Sequence, residues 1–276
     1  MTQVSDELIQ LRGLRFHYRE WPSATPNVQV LVLLHGYTGN ARSWDEFAAA
    51  MSTRFRVLAL DQRGHGETQW APATAYGTTE MVQDTQAFVQ AMGLKDFLLL
   101  GLSMGGIVAI GYSGLAPPEL ERLVIVDIAP EIAASGLQRI QQNVARSDVF
   151  DSREAAFERA RKDNPIPPQA HQRKRVYESL MRTDDGSWTY RYDPALRDTS
   201  NPRERTSAAD GWKLVENINV PTLLLRGELS NILDRDVAEK MVDTLQDGKL
   251  VEIEGSGHPV PLDKPDEFLQ AVDAWL

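Results

Sequence analysis

No cysteine occurs anywhere in these 276 residues, which excludes a disulfide framework, a thiolate nucleophile and any cysteine-bound metal. That suits a reducing compartment. Long apolar runs are missing as well: no stretch approaches the roughly eighteen uninterrupted apolar residues that a membrane helix needs. The opening segment, MTQVSDELIQ, has neither a basic start nor an apolar run, so no signal peptide is expected. Positive charge is scarce, with 29 Lys and Arg against 39 Asp and Glu for a formal net charge of −10. Such a surface repels phosphate backbones. Neither nucleic acid nor a membrane is expected as a partner, and a cytoplasmic location is the default. Hydrophobic residues at 42% and charged residues at 25% are ordinary for a globular protein. The length suffices for one large domain, or one domain carrying an insertion.

The hydrophobic pattern alternates between strands and helices. Leu14, Phe16 and Tyr18 alternate with polar neighbours, as on a half-buried strand. Val28 to Leu34 is an almost unbroken aliphatic run, as in a strand covered on both faces. Asn40 can cap a helix bearing Trp44, Phe47 and Met51. A strand at Phe55–Leu60, a long loop, a helix from Thr79 ending at Gly93, and strands at Phe97–Leu100 and Leu123–Val126 follow. This rhythm predicts a mainly parallel sheet with helices on both faces. It breaks after Pro130. From Glu131 to Asp210 there are charged helical stretches and a proline-rich break at Asn164–Pro168, but no strongly apolar strand. The pattern resumes with Thr222–Leu225, a helix around Val237–Leu245, Leu250–Ile253 and a last helix after Pro265. The expected organisation is a core of residues 1–130 and 211–276 with a helical cap, 131–210, inserted before the last two strands.

Chemistry concentrates at two places. Gly101-Leu102-Ser103-Met104-Gly105 joins a buried strand directly to a helix. A serine on so sharp a turn projects its hydroxyl beyond the sheet, and the small residues beside it keep strand and helix from clashing. The helix starting at Met104 aims its N-terminal N–H groups at the same point, which favours developing negative charge. The second place is Gly255-Ser256-Gly257-His258, a histidine on a small-residue loop after the final strand. The order is serine first, histidine last. Ser103 is the candidate nucleophile and His258 its general base.

Over nearly its whole length the chain resembles the α/β-hydrolase superfamily. The matching pieces are His35-Gly36, Asp61-Gln62-Arg63-Gly64-His65-Gly66, Gly101 to Gly106 and Gly257-His258. The resemblance implies an eight-stranded, mostly parallel sheet, and an oxyanion hole formed by the backbone N–H groups of Tyr37 and Met104. His35 would then be scaffold. Dehalogenase and epoxide-hydrolase relatives carry Asp where this chain has Ser103.

The acid departs from the family pattern. Most members place Asp in the loop after the strand that here is Thr222–Leu225, and Asn231 stands at that position. An amide cannot neutralise an imidazolium, and in a serine triad the Asp→Asn exchange costs about 10⁴ in rate. Asp127 closes the preceding strand, within side-chain reach of the same point because neighbouring strands lie only about 4.8 Å apart. Some relatives, such as 2-(acetamidomethylene)succinate hydrolase, take the acid from there. Asp127 is chosen; the other possibilities are that it merely ties down the root of the cap, or that Asn231 replaces a removed acid. Glu228, Asp234 and Asp236 are weaker candidates, with Asp234 a helix cap. The Asp61–Gly66 loop reads as structural, with Arg63 pairing a nearby carboxylate. Met104, Tyr37, Trp44, Ile132 and Trp212 could line an acyl pocket or belong to the core. The cap carries fourteen Lys and Arg against thirteen Asp and Glu, so it is far less acidic than the rest and could admit an anion. The expected activity is hydrolysis of a small carboxylic ester or lactone, without metal or organic cofactor. The alternatives are C–C or C–N bond hydrolysis by the same residues, and a non-catalytic ligand receptor on a hydrolase scaffold.

Overall fold

The computed structural model describes residues 3–198 and 206–276. Residues 1–2, and 199–205 within the segment read as a cap, lie outside the described residues. The chain begins with an antiparallel hairpin, β1 (Ser5–Leu11) and β2 (Leu14–Trp21), followed by β3 (Val30–Leu34) and a 3-10 turn at Ala41–Trp44. Asn40 caps that turn, accepting from Arg42 N–H in a reciprocal arrangement with Ser43. Then come α1 (Asp45–Met51), β4 (Arg56–Leu60), α2 (Thr78–Ala91), β5 (Phe97–Leu102), α3 (Met104–Ser113) and β6 (Leu120–Val126). Gly93, at φ 60°, stops α2 in the left-handed region.

The next segment holds α4 (Ala134–Ala145), α5 (Arg153–Asp163), α6 (Gln169–Glu178) and a short hairpin, β7 (Leu180–Arg182) with β8 (Trp188–Tyr190). The chain closes with α7 (Ala208–Glu216), β9 (Thr222–Gly227), α8 (Arg235–Thr244), β10 (Gly248–Ile253), α9 (Val260–Asp263) and α10 (Pro265–Trp275). The main sheet has eight strands in the order β1-β2-β4-β3-β5-β6-β9-β10. From β4 to β10 all neighbours are parallel; β2 pairs antiparallel with β1 and β4. The expected fold class holds, with the insertion before the last two strands.

The unbroken aliphatic runs have a direct cause. Val32, Leu34, Leu99, Ile125 and Leu224 face one core with α2, α3 and α8, while Leu31, Leu33, Leu98, Leu100, Val124, Leu223 and Leu225 face another with α1 and α10. With a period of two, a strand covered on both faces must be apolar at every position. On the second face Trp44, Phe47 and Phe268 meet ring to ring, with Phe47 and Phe268 centroids 4.9 Å apart.

Three local expectations change. β2 is buried on both faces rather than one: His17 and Arg19 are covered because Asp6, Asp45 and Asp61 satisfy them. The insertion contains a hairpin as well as helices, and its three-residue strands are too short to display an alternating pattern. α7 runs across the boundary drawn at 210/211, and Leu214 packs against Gly114 at the end of α3. Among the described residues no helix is long and apolar enough to cross a membrane.

Candidate active site

Ser103 is the hinge between β5 and α3, with φ 52° and ψ −115°. This left-handed conformation costs a non-glycine residue roughly 1–3 kcal/mol, and the surroundings hold it in place. Its N–H donates to Val126 O at 3.0 Å, and its carbonyl accepts from Ile107 N–H at 2.9 Å. Gly105 makes the turn possible, since a Cβ there would lie 2.3 Å from Leu34 O. Strand and helix can approach so closely only at a residue without a side chain.

His258 arrives from the far side of the sheet. After β10 its loop is pinned three times: Leu229 N–H donates to Ser256 O (2.8 Å), Gly255 N–H to Glu228 Oε2 (2.8 Å), and Gly257 N–H to Asp263 Oδ2 (2.7 Å). The imidazole Nε2 then lies 2.9 Å from Ser103 Oγ, and Nδ1 lies 2.7 Å from Asp127 Oδ2. With a carboxylate at Nδ1, that nitrogen carries the proton and Nε2 is left to accept from the serine hydroxyl. The three groups form one hydrogen-bonded line along which a proton can leave the hydroxyl.

Asp127 follows β6 at φ 53° and is fully buried. Its N–H donates to Leu225 O (2.7 Å); its Oδ1 accepts from Gly227 N–H (2.8 Å) and its Oδ2 also accepts from Ser230 Oγ–H (2.5 Å). With three donors on its two oxygens, the buried carboxylate is fixed in one orientation. Asn231 meets the insertion through its main chain: its backbone carbonyl accepts from Ser135 Oγ–H at 3.2 Å, and Gly136 packs on that oxygen. Ser230, the residue before it, is what the later loop contributes to the site. Ser230 had no distinguishing signal in the sequence. Of the weaker acids, Glu228 holds Gly255, Asp236 lies in the first turn of α8, and Asp234 stands at the N-cap of α8 without a side-chain capping bond.

The loop after β3 lies beside the serine. A Cβ on Gly36 would be 3.4 Å from Ser103 Cβ. His35 fixes that loop from behind: its Nδ1–H donates to Gly36 O (2.8 Å), and its Nε2 accepts from Gln62 N–H (3.0 Å). Burial brings the His35 imidazole down to about 4, so it is neutral scaffold at pH 7. Tyr37 follows, its hydroxyl donating to Leu196 O of the insertion at 3.1 Å and its ring set against His65 and Tyr192. Met104 is the first residue of α3, where the backbone N–H has no acceptor within the helix. The other pocket candidates diverge. Trp44 is enclosed between Phe47 and Phe268 in the core, and Trp212 donates to Glu131 with the Lys240 ammonium over its ring.

The 61–66 loop ties core to insertion. Asp61 accepts from Ala41 N–H (2.5 Å), Glu67 N–H (2.8 Å) and His17 Nδ1–H (2.7 Å). Burial alone would raise its carboxyl, but these donors outweigh it and leave the group below the ordinary value. Arg63 pairs with Asp84 through two hydrogen bonds. On the other side of the loop, Gly66 N–H donates to Arg191 O (2.9 Å), Asp193 N–H donates to Gly64 O (2.7 Å), and His65 bridges Tyr192. Among the described residues no group of three or more His, Asp or Glu could hold a metal ion.

A strained serine between strand and helix, facing a histidine from the last loop, marks the class of hydrolases built on a doubly wound sheet. Comparison with known proteins agrees: residues 29–265 match the family model described as alpha/beta hydrolase fold, and the chain belongs to that family. An esterase of Mycobacterium tuberculosis is 28% identical, over 93% of this chain and 84% of that protein. N-formylmaleamate deformylase of Pseudomonas putida is 27% identical, over 100% and 97% respectively. Among solved structures, an alpha/beta hydrolase from Novosphingobium aromaticivorans superposes with a TM-score of 0.88 at 26% identity, covering 99% of this chain and 98% of its own. The family and the names of these relatives make the protein a hydrolase.

Proposed function

We propose that the protein is a serine hydrolase of small carboxylic esters or lactones, working through an acyl-enzyme. One observation carries this reading: the continuous line from Ser103 Oγ through His258 to Asp127, at 2.9 and 2.7 Å. As Ser103 Oγ attacks the carbonyl carbon, its proton passes to His258 Nε2, and Asp127 stabilises the imidazolium. The carbonyl π electrons move onto oxygen, where the N–H groups of Tyr37 and Met104 receive the charge, each contributing about 3 kcal/mol. Collapse expels the alkoxide, which takes the proton from His258. Water then repeats the sequence, its proton going to His258 and its oxygen to the acyl carbon, and Ser103 leaves reprotonated. The insertion between β6 and β9 covers the carboxyl ends of the strands, where open α/β sheets bind ligands, and in this reading it selects the acyl group.

The test is reaction with a fluorophosphonate probe followed by mass mapping, then turnover of aryl esters, lactones, amides and vinylogous diketones. Labelling at Ser103 with preference for esters is expected. Labelling with preference for amides or diketones would move the assignment to C–N or C–C bonds. An unlabelled protein that retains a ligand would favour a receptor.

A further inference from the structure

The proline-rich break at Asn164–Pro168 is not used by the chemistry above, yet it reaches the histidine loop. Asn164 ends α5, and its side-chain amide donates from Nδ2 to Asp263 Oδ1 at 2.7 Å. The other oxygen of the same carboxylate, Oδ2, accepts from Gly257 N–H at 2.7 Å, one residue before His258. Asp263 is 2% exposed, so these are bonds with little competition from water. Ile166 adds an apolar contact, its Cδ1 lying 3.6 Å from where a Cβ on Gly257 would stand.

The turn is itself braced. Gln172, buried on α6, donates from Nε2 to Asn164 O (2.9 Å) and Ala160 O (3.2 Å), and Arg161 Nη1 donates to Pro167 O (2.6 Å). Ile166 N–H donates to Asn164 Oδ1 at 3.2 Å, which fixes the amide so that its nitrogen faces Asp263. The insertion thus offers a rigid donor, and the core offers a carboxylate bonded to the backbone of the histidine loop.

We propose that Asn164 and Asp263 are positioning residues that couple the insertion to the active site: docking of the 164–168 turn holds the His258 loop in register with Asp127 and Ser103. The catalytic half of this inference rests on the hydrolase reading; the mechanical half does not. Misplacing a reacting group by about 1 Å can cost about a hundredfold in rate. Loss of the Asn164 bond should therefore act on kcat, while substrate contacts that set KM stay as they were.

Three variants test this by aryl-ester kinetics and by hydrogen exchange of the Gly257 amide. Asn164→Ala should lower kcat about tenfold with KM within about twofold, and Gly257 should exchange about tenfold faster. Asp263→Asn turns an amide NH₂ toward one of its two donors and should do the same or more. The exchanged pair, Asn164→Asp with Asp263→Asn, restores both hydrogen bonds: the amide now at position 263 accepts from Gly257 N–H through its oxygen, while its nitrogen donates to the carboxylate now at position 164. It should return kcat and exchange to within about threefold of the parent. If the exchanged pair stays as slow as Asp263→Asn alone, the charge beside His258 matters and the coupling is overturned. Asn164→Ala with unchanged kcat and exchange, or with KM raised at constant kcat, overturns it too. A parent protein inert toward esters and the fluorophosphonate would defeat the hydrolase reading, while the exchange measurements still decide the docking. Should Asp263→Asn fail to fold, Asn164→Ala alone carries the test.

Discussion

Asp127 and Asn231 occupy neighbouring strand ends but meet different partners. The Asp127 carboxylate takes donors from His258, Gly227 and Ser230, whereas the contacts of Asn231 with Ser135 and Gly136 run through its backbone carbonyl. Asp127→Asn should therefore lower kcat by about 10⁴, through loss of the tautomer that leaves Nε2 free to accept. Asn231→Asp should change kcat by less than about threefold, because a carboxylate there adds a second charge without replacing the first. A large gain from Asn231→Asp, with Asp127→Asn nearly silent, would transfer the acid to the later loop. Ser103→Ala should abolish ester turnover while circular dichroism stays that of the parent. Residual activity within tenfold of the parent, once contaminating esterase is excluded, would refute the nucleophile.

Elements meet at this site through close backbone approach. Gly227 closes β9 directly against the histidine loop, where a Cβ would lie 2.1 Å from Gly257 O. Gly227→Ala should destabilise the fold by about 1–3 kcal/mol through overpacking, and it should lower kcat more than the stability loss explains, because the loop it displaces carries His258. Urea unfolding beside kinetics separates the two effects; unchanged kcat in folded protein would show that the loop can yield. On the opposite face, Phe268→Ala removes the ring that joins α10 to Trp44 and Phe47. It should cost about 3–5 kcal/mol with little change in kcat for the folded fraction. The sequence displayed these elements plainly where periodicity ran long, as in Leu31–Leu34 and Leu98–Leu100. It did not display the β7–β8 hairpin, whose strands owe their pairing to the packing of Phe150, Leu180 and Trp188 rather than to pattern.

For the whole molecule, acid should be destabilising well above the carboxylate range. Burial holds His35 at about 4 and His65 at about 3 in the folded chain, against about 6.5 when unfolded. Between those values the unfolded state binds protons that the folded state refuses, so stability falls as pH drops from about 6.5 toward 4, and further toward 3 for His65. Asp61, held below its ordinary value, acts in the same direction at lower pH still. His17 opposes them: although burial lowers it, its bonds to Asp61 and Asp6 win and raise it, so its contribution is full below about 6.5 and fades as pH rises past its folded value. The urea midpoint should therefore be lower at pH 4.5 than at pH 7; an equal or higher midpoint would mean that the protons refused by His35 and His65 do not outweigh the one that His17 holds. Replacing residues 131–206 with a short linker should alter KM and acyl-length preference strongly. It should also destabilise the core, since Tyr192, Asp193 and Leu196 hold the 61–66 loop and Tyr37. Unchanged preference would place the pocket outside the insertion.

By itself the sequence determined the sheet, its double covering and two members of the hydrogen-bonded line, Ser103 and His258. Each of these is a local matter: a two-residue period, a glycine-flanked serine between strand and helix, a histidine on a small-residue loop. Which carboxylate meets the His258 imidazole, the supporting Ser230, the anchoring of the 61–66 loop and the link from Asn164 through Asp263 were decided only in three dimensions. Asp127 and His258 stand 131 residues apart, and Asn164 and Asp263 stand 99 apart. Which of several carboxylates reaches an imidazole depends on strand order, on the direction in which each loop leaves the sheet, and on who already occupies its oxygens. None of those quantities is carried by the spacing of residues along the chain.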